Sequence, residues 1–279
     1  VPDLGLVTGN GRDAFSVRMG APGGTFMPPV DYPAFGYEKK IFLAPLNVDD
    51  DLDVVVVNEL GGVAVAFNLG DGAFDAPDTY PSSPPRAYLE HDAAIADVND
   101  DGHLDIVALT VDYSVGSYLR TYRNAGDGTF AFNFPTLING TADGFALGEF
   151  NGDGRIDAVV ALPAEYGVRL LLGVGNGTFS THTLIDVGNS PDDVALADLD
   201  ADGRLDLVVA YDDDFVSVRR GSGTGAFFTP DRYRVTDEAT ELAIADVNRD
   251  GLPDIVTGEA VDDVLLNLGD ATFRALPAA

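Results

Sequence analysis

Apolar positions along this chain fall in short runs broken by polar turns, and the kinds of run recur in a fixed order. One kind alternates small and large side chains, as in Ala94-Ile-Ala96, Ala146-Leu-Gly148, Ala195-Leu-Ala197 and Ala243-Ile-Ala245. That period of two predicts a strand, and the small residues suit an innermost strand where repeats crowd round an axis. A β-branched or aliphatic run follows: Ile106-Val107, Val159-Val160, Leu207-Val-Val209 or Ile255-Val256. A third run, such as Val63-Ala-Val-Ala-Phe67 or Val264-Leu-Leu266, ends at a glycine-rich turn. Asp-Gly and Asn-Gly pairs there favour tight hairpins. A fourth strand would carry the phenylalanine that follows. No stretch has a convincing amphipathic-helix period.

Between the first and second runs lies an acidic segment that aligns without gaps in four places. These are Asp97-Val-Asn-Asp-Asp-Gly-His-Leu-Asp105, Glu149-Phe-Asn-Gly-Asp-Gly-Arg-Ile-Asp157, Asp198-Leu-Asp-Ala-Asp-Gly-Arg-Leu-Asp206 and Asp246-Val-Asn-Arg-Asp-Gly-Leu-Pro-Asp254. They start about 50 positions apart, in the range of a propeller repeat. Asn47-Val-Asp-Asp-Asp-Leu-Asp53 reads as a shortened relative without the glycine, preceded by Pro45 and Leu46 where small residues are expected. A second marker, Gly-Asp-Gly or a variant before phenylalanine, recurs at Phe74, Phe130, Phe179, Phe227 and Phe273, and Gly23-Gly-Thr-Phe26 adds a sixth. Val1-Pro-Asp-Leu-Gly-Leu-Val-Thr-Gly9 resembles Leu252-Pro-Asp-Ile-Val-Thr-Gly258, so the chain begins partway through a repeat.

Four short strands per repeat predict an all-β fold, a single β-propeller domain of about six four-stranded blades. The expected blades are 1–36, 37–86, 87–142, 143–189, 190–236 and 237–279, the first incomplete at its N-terminus and a seventh left open. A β-helix has a much shorter repeat, and a sandwich has no reason to repeat.

The acidic segments supply oxygen donors at positions 1, 3, 5 and 9, with a backbone carbonyl at 7. Calcium takes six to eight hard oxygen ligands, and the glycine at position 6 allows the sharp turn that gathers them. An EF-hand opens in the same way but closes with glutamate at position 12 and lies between helices. The predicted donors are Asp97, Asn99, Asp101, Asp105 and the His103 carbonyl; Glu149, Asn151, Asp153, Asp157 and the Arg155 carbonyl; Asp198, Asp200, Asp202, Asp206 and the Arg204 carbonyl; and Asp246, Asn248, Asp250, Asp254 and the Leu252 carbonyl. A fifth set, Asn47, Asp49, Asp51 and Asp53, is left open. Without a cation, such clustered carboxylates would repel one another strongly.

Composition sharpens this reading. Of 279 residues, 46 are acidic and 16 basic, a net charge of −30 that opposes binding to nucleic acid or anionic membranes. With 46% hydrophobic residues the chain can bury a sizeable core. It has no cysteine, which removes disulfides and thiolate metal sites. No apolar run approaches the ~20 residues of a membrane span. No signal peptide is evident, and a start at Val1 fits a mature or trimmed form. Calcium modules that saturate at about 0.1–1 mM work outside cells, so a secreted or surface location is expected.

Taken together, these repeats resemble the FG-GAP or VCBS repeats of bacterial secreted proteins and of the integrin α-chain head. The resemblance covers nearly the whole chain. It implies a propeller with calcium loops on one face and binding commonly on another surface. The expected role is therefore a binding or adhesion module for a glycan or a protein. Tyr113, Tyr118 and Tyr122, in the stretched third repeat, could stack on a sugar, although ordinary β-sheet tyrosines look the same and the chain has no tryptophan. A propeller lyase or hydrolase is the alternative, as is a structural spacer in a longer surface protein. His91, His103 and His182 form no recognisable nucleophile or zinc pattern. Asn139-Gly-Thr141 and Asn176-Gly-Thr178 match glycosylation sequons, the second better explained by its hairpin.

Overall fold

The structure is a computed structural model and describes residues 7–9, 14–21, 25–33, 38–49, 51–58, 62–70, 72–81, 89–112, 115–133, 135–236, 238–258 and 263–276. The chain divides into two compact units, Val1–Leu137 and Ile138–Ala279. Each is built from antiparallel sheets in which strands follow in chain order, as hairpin connections require.

In the first unit, blade 1 contains Val7–Gly9, Ala14–Val17 and Val30–Pro33, with a hairpin of Gly20–Ala21 and Thr25–Phe26. Blade 2 contains Glu38–Ala44, Asp53–Asn58, Gly62–Ala66 and Asp78–Pro81. Blade 3 runs through Leu89–Ala96, Asp105–Asp112, Gly116–Asn124 and Phe130–Phe132. The second unit holds three four-stranded blades. Blade 4 is Phe145–Gly148, Asp157–Leu162, Gly167–Gly173 and Phe179–Asp186. Blade 5 is Pro191–Ala197, Asp206–Tyr211, Phe215–Arg219 and Asp231–Arg234, and blade 6 is Leu242–Ala245, Asp254–Thr257, Asp263–Asn267 and Phe273–Ala275.

In blade 5, Leu207, Val209 and Tyr211 of the second strand pack toward blade 4, and Val208 and Ala210 pack toward blade 6. Every residue of Asp157–Leu162 and of Asp206–Tyr211 is buried, which is why these strands read as continuous apolar runs. Fourth strands lie at sheet edges, and Val30–Pro33, Asp78–Pro81 and Asp231–Arg234 each bury only their tyrosine in part. The cores lie between consecutive blades. Val55, Val57, Val63 and Val65 of blade 2 pack with Ile106, Ala108 and Tyr122 of blade 3. Similar layers join blades 4 and 5 and blades 5 and 6.

The recurring phenylalanine fastens these layers. Tyr32 meets Phe74, Tyr80 meets Phe130 and Tyr233 meets Phe273, each tyrosine on one blade and each phenylalanine on the next. Ring centroids stand 5.6, 5.4 and 5.4 Å apart in edge-on contact, the geometry aromatic quadrupoles favour. The extra residues of the long third repeat lengthen Asp105–Asp112 and Gly116–Asn124 into one long hairpin, and this sheet carries a fifth strand, Thr136–Ile138, paired with Gly116–Asn124.

Candidate metal centre

The acidic segment is the turn between the first and second strands of a blade, and its shape is set by two left-handed residues. Position 6 is glycine throughout the four complete loops, with φ between 81° and 88° at Gly102, Gly154, Gly203 and Gly251. Position 4 also turns left-handed, at Asp100, Gly152, Ala201 and Arg249. Such φ values are costly for residues with a Cβ, so the loop must stabilise them.

Its own side chains do this. The position-3 oxygen accepts the amide N–H of position 5 in every complete loop, at 3.0 Å (Asn99), 2.9 Å (Asn151), 3.2 Å (Asp200) and 2.8 Å (Asn248). The position-5 carboxylate accepts the N–H of position 7, at 2.9–3.0 Å. Asp97, Asp198 and Asp246 at position 1 accept the N–H of the position-6 glycine. Glu149, one methylene longer, instead takes the amides of Asn151 and Gly152. Each carboxylate thereby spends part of its accepting capacity on the loop and keeps lone pairs in hand.

In the loop of blade 5 the result is a cluster. Carboxylate oxygens of Asp198, Asp200 and Asp202 lie within 4.8 Å of one another. At that separation three negative charges repel, and a hard divalent cation relieves the repulsion. The other complete loops have asparagine at position 3, which offers a neutral amide oxygen instead of a third carboxylate. Two position-7 arginines lie over their own loops, Arg204 3.0 Å and Arg155 3.8 Å from the position-5 carboxylates of Asp202 and Asp153. Both pairs are substantially exposed and so contribute little to stability.

Position 9 behaves differently from the other donors. Asp53, Asp105, Asp157, Asp206 and Asp254 are all at most 1% exposed. One oxygen accepts the N–H of position 2, from Leu46, Val98, Phe150, Leu199 and Val247 respectively. The other accepts an N–H from the end of the third strand, at Asn68, Asn124, Gly173, Gly221 and Asn267. Burial pushes Asp105 and Asp157 up to about 6, partly offset by those amide bonds and increased by the neighbouring loop acids. Asp53 and Asp206 are raised for the same reason. These carboxylates staple the turn to the sheet, a role that motif spacing alone does not reveal. In the other loops each oxygen keeps a second lone pair for a ligand, whereas Asp157 Oδ2 also accepts from Asn151 Nδ2 at 2.8 Å.

The staple also corrects the reading of the fifth loop. Asp53 accepts from Leu46 and Asn68 as Asp105 does from Val98 and Asn124, so Asp53 occupies position 9. The loop is therefore full length, Pro45 to Asp53, and looks short in the sequence because proline replaces the position-1 acid. Asn47, Asp49 and Asp51 then fall at positions 3, 5 and 7. Val48 at position 4 does not turn left-handed, as its branched Cβ would predict. Asp49, Asp51 and Asp53 do not gather as the blade-5 acids do. A proline has no side-chain oxygen to offer at position 1, but Asn47 and Asp49 still accept the amides of Asp49 and Asp51, at 2.9 and 3.0 Å, as in the complete loops.

The histidine side chains and the remaining tyrosines build no further site among the described residues. His103 lies over Gly126, where an added Cβ would stand 2.4 Å from the imidazole Nε2. His182 is exposed on a fourth strand, and His91 has a side chain outside those described. Tyr122 is 1% exposed within the core between blades 2 and 3, and Tyr113 lies outside the described residues.

The fold and its recurring loop define the class: a β-propeller built from acidic-loop repeats. The chain matches the FG-GAP-like repeat over residues 46–108, 97–160, 149–209 and 198–257, and it belongs to that family. Among solved structures it is similar to Sqt1 of Saccharomyces cerevisiae, at 11% identity and a TM-score of 0.68, covering 96% of this chain and 69% of that one. It is also similar to BBS1N, crystallised in complex with ARL6DN, at 13% identity and a TM-score of 0.64, covering 99% and 84%. A functionally unknown protein from Desulfotomaculum acetoxidans DSM 771 aligns at 13% identity and a TM-score of 0.63, covering 97% and 78%. At such identities the likeness is one of fold. No curated protein matches the chain.

Proposed function

We propose that this propeller is a calcium-stabilised binding module that works outside the cell and takes a protein partner. The observation that carries the calcium reading is the convergence of Asp198, Asp200 and Asp202 in a loop whose pattern recurs in three other blades. Four ions would be held by the side chains at positions 1, 3 and 5, the carbonyl at 7 and a free lone pair at 9. Their chemistry is neutralisation: an ion removes the mutual repulsion of the acids and ties the turn that joins two strands. A site with a dissociation constant tenfold to a hundredfold below ambient calcium would add about 1.4–2.7 kcal/mol. With extracellular-type dissociation constants of about 0.1–1 mM, millimolar calcium reaches the lower end of that range, which supports a secreted or surface setting.

A protein partner is favoured over a glycan by the aromatic residues. The chain has no tryptophan, and Tyr122 is committed to the core. The solved complex of BBS1N with ARL6DN illustrates a propeller of similar fold engaging a protein. The alternative of a propeller lyase or hydrolase has no histidine or nucleophile constellation to support it among the described residues.

Calorimetric titration of metal-stripped protein with calcium, alongside melting in calcium and in chelator, tests the first part. Heat of binding with a rise in Tm is the expected outcome; neither would remove the calcium reading. A glycan array run in millimolar calcium tests the second. Silence is expected, and binding to a defined sugar class would make the protein a lectin.

A further inference from the structure

Each acidic loop is also part of a joint with the blade that follows it. The position-2 carbonyl accepts a hydrogen bond from the next blade in three places. Asn124 Nδ2 of blade 3 donates to Leu46 of blade 2 at 2.7 Å, and Asn267 Nδ2 of blade 6 donates to Leu199 of blade 5 at 2.8 Å. Where the third strand ends in glycine, the following turn takes over, and Gly225 N–H of blade 5 donates to Phe150 of blade 4 at 3.0 Å. Asn124 and Asn267 are each 3% exposed. Each uses its second amide hydrogen on the position-8 carbonyl of its own blade, Leu104 or Pro253. The same residue's backbone N–H is held by the position-9 carboxylate.

Building on the calcium reading above, we propose that Asn267 is a positioning residue that couples ion binding in the Asp198–Asp206 loop to the junction between blades 5 and 6. Leu199 sits between the position-1 and position-3 acids, and its N–H is held by Asp206. An ion that fixes Asp198 and Asp200 therefore fixes the carbonyl Asn267 grasps. Coupling of this kind is reciprocal: if the ion strengthens the joint, loss of the joint weakens the ion by the same factor. Asn124 supplies an internal control, because it makes the same latch to Leu46 in the loop where proline replaces the first acid.

The test compares Asn267→Ala and Asn124→Ala with the parent protein, by melting in calcium and in chelator and by calorimetric calcium titration. Asn267→Gly, which copies Gly173 and Gly221 at the same position, serves if the alanine variant does not fold. Both alanine variants also lose the bond to the position-8 carbonyl of their own loop, Leu104 or Pro253, so Asn124→Ala sets the baseline: it should weaken at most the ion of that loop and lose less calcium-dependent Tm than Asn267→Ala. Asn267→Ala or Asn267→Gly should lose more Tm in calcium than in chelator, with one ion weakened about tenfold, which is 1.4 kcal/mol of coupling. Equal losses in both conditions, with all affinities intact, would reduce Asn267 to an ordinary buried hydrogen bond and overturn the proposal. A parent protein indifferent to calcium would instead sink the calcium reading on which it rests.

Discussion

The five position-9 aspartates and the position-5 aspartates look alike in the sequence, yet they do different work. Asp206 is 1% exposed and holds Leu199 and Gly221 by their amides; Asp202 is exposed and holds only Arg204 within its own turn. Removing Asp206 leaves two buried amides unpaired, at roughly 1–3 kcal/mol each. Asp206→Ala should therefore lower Tm strongly even in chelator, with a further loss in calcium because an ion donor is gone. Asp202→Ala should lower it only in calcium. Losses confined to calcium for both variants would show that position 9 acts as a ligand alone.

A second residue-scale feature lies away from the acidic loops. Asp192, partly buried at the start of the first strand of blade 5, is pushed up to about 6. Burial is the main cause, followed by the like charges of Asp212, Asp143 and Glu238. A carboxyl raised in the folded state favours folding when protonated. Its contribution is present below the unfolded value near 4 and lost as pH rises through about 6. Asp192→Asn should accordingly raise Tm at pH 7.5 and give no gain at pH 4. An equal Tm gain at both values would trace the effect to packing instead.

At the scale of the elements, glycines decide where strands may end. Gly173 and Gly221 close the third strands of blades 4 and 5 where a Cβ would stand 2.2 and 2.1 Å from the carbonyl oxygens of Ile156 and Leu205. Backbone cannot yield as a side-chain tip can. Gly221→Ala should destabilise the protein by about 2–4 kcal/mol. Gly203→Ala, left-handed at φ 84° but with nothing within 4 Å, should cost only about 1 kcal/mol. Denaturant titration of the two variants distinguishes them, and comparable losses would refute the steric account. The equivalent positions 124 and 267 carry asparagine, Cβ included, and there the Leu104 and Pro253 carbonyls stand where they accept its side-chain amide, at 3.1 and 3.0 Å.

Across the molecule, much could be read from the chain itself. A repeat repeats its chemistry, so the strands, the hairpin glycines, the acidic loops and the propeller class were legible from spacing and alternation. The alternation of Ala94-Ile-Ala96 and the fully apolar Leu207-Val-Val209 reflect local burial, which the period of a strand encodes directly. What the sequence could not disclose is which oxygen faces which amide. Asp105 and Asp101 differ only by position, and their separation into staple and loop acid follows from the third strand arriving beside one of them. The register of the fifth loop was equally hidden, since Pro45 breaks the motif while the Asp53 hydrogen bonds preserve it. The latch of Asn267 on Leu199 spans residues far apart along the chain and exists only because two sheets are stacked. Sequence determined the repeating strands and their loops because those depend on neighbours in the chain; the pairing of buried polar groups was decided by tertiary structure, because it depends on neighbours in space.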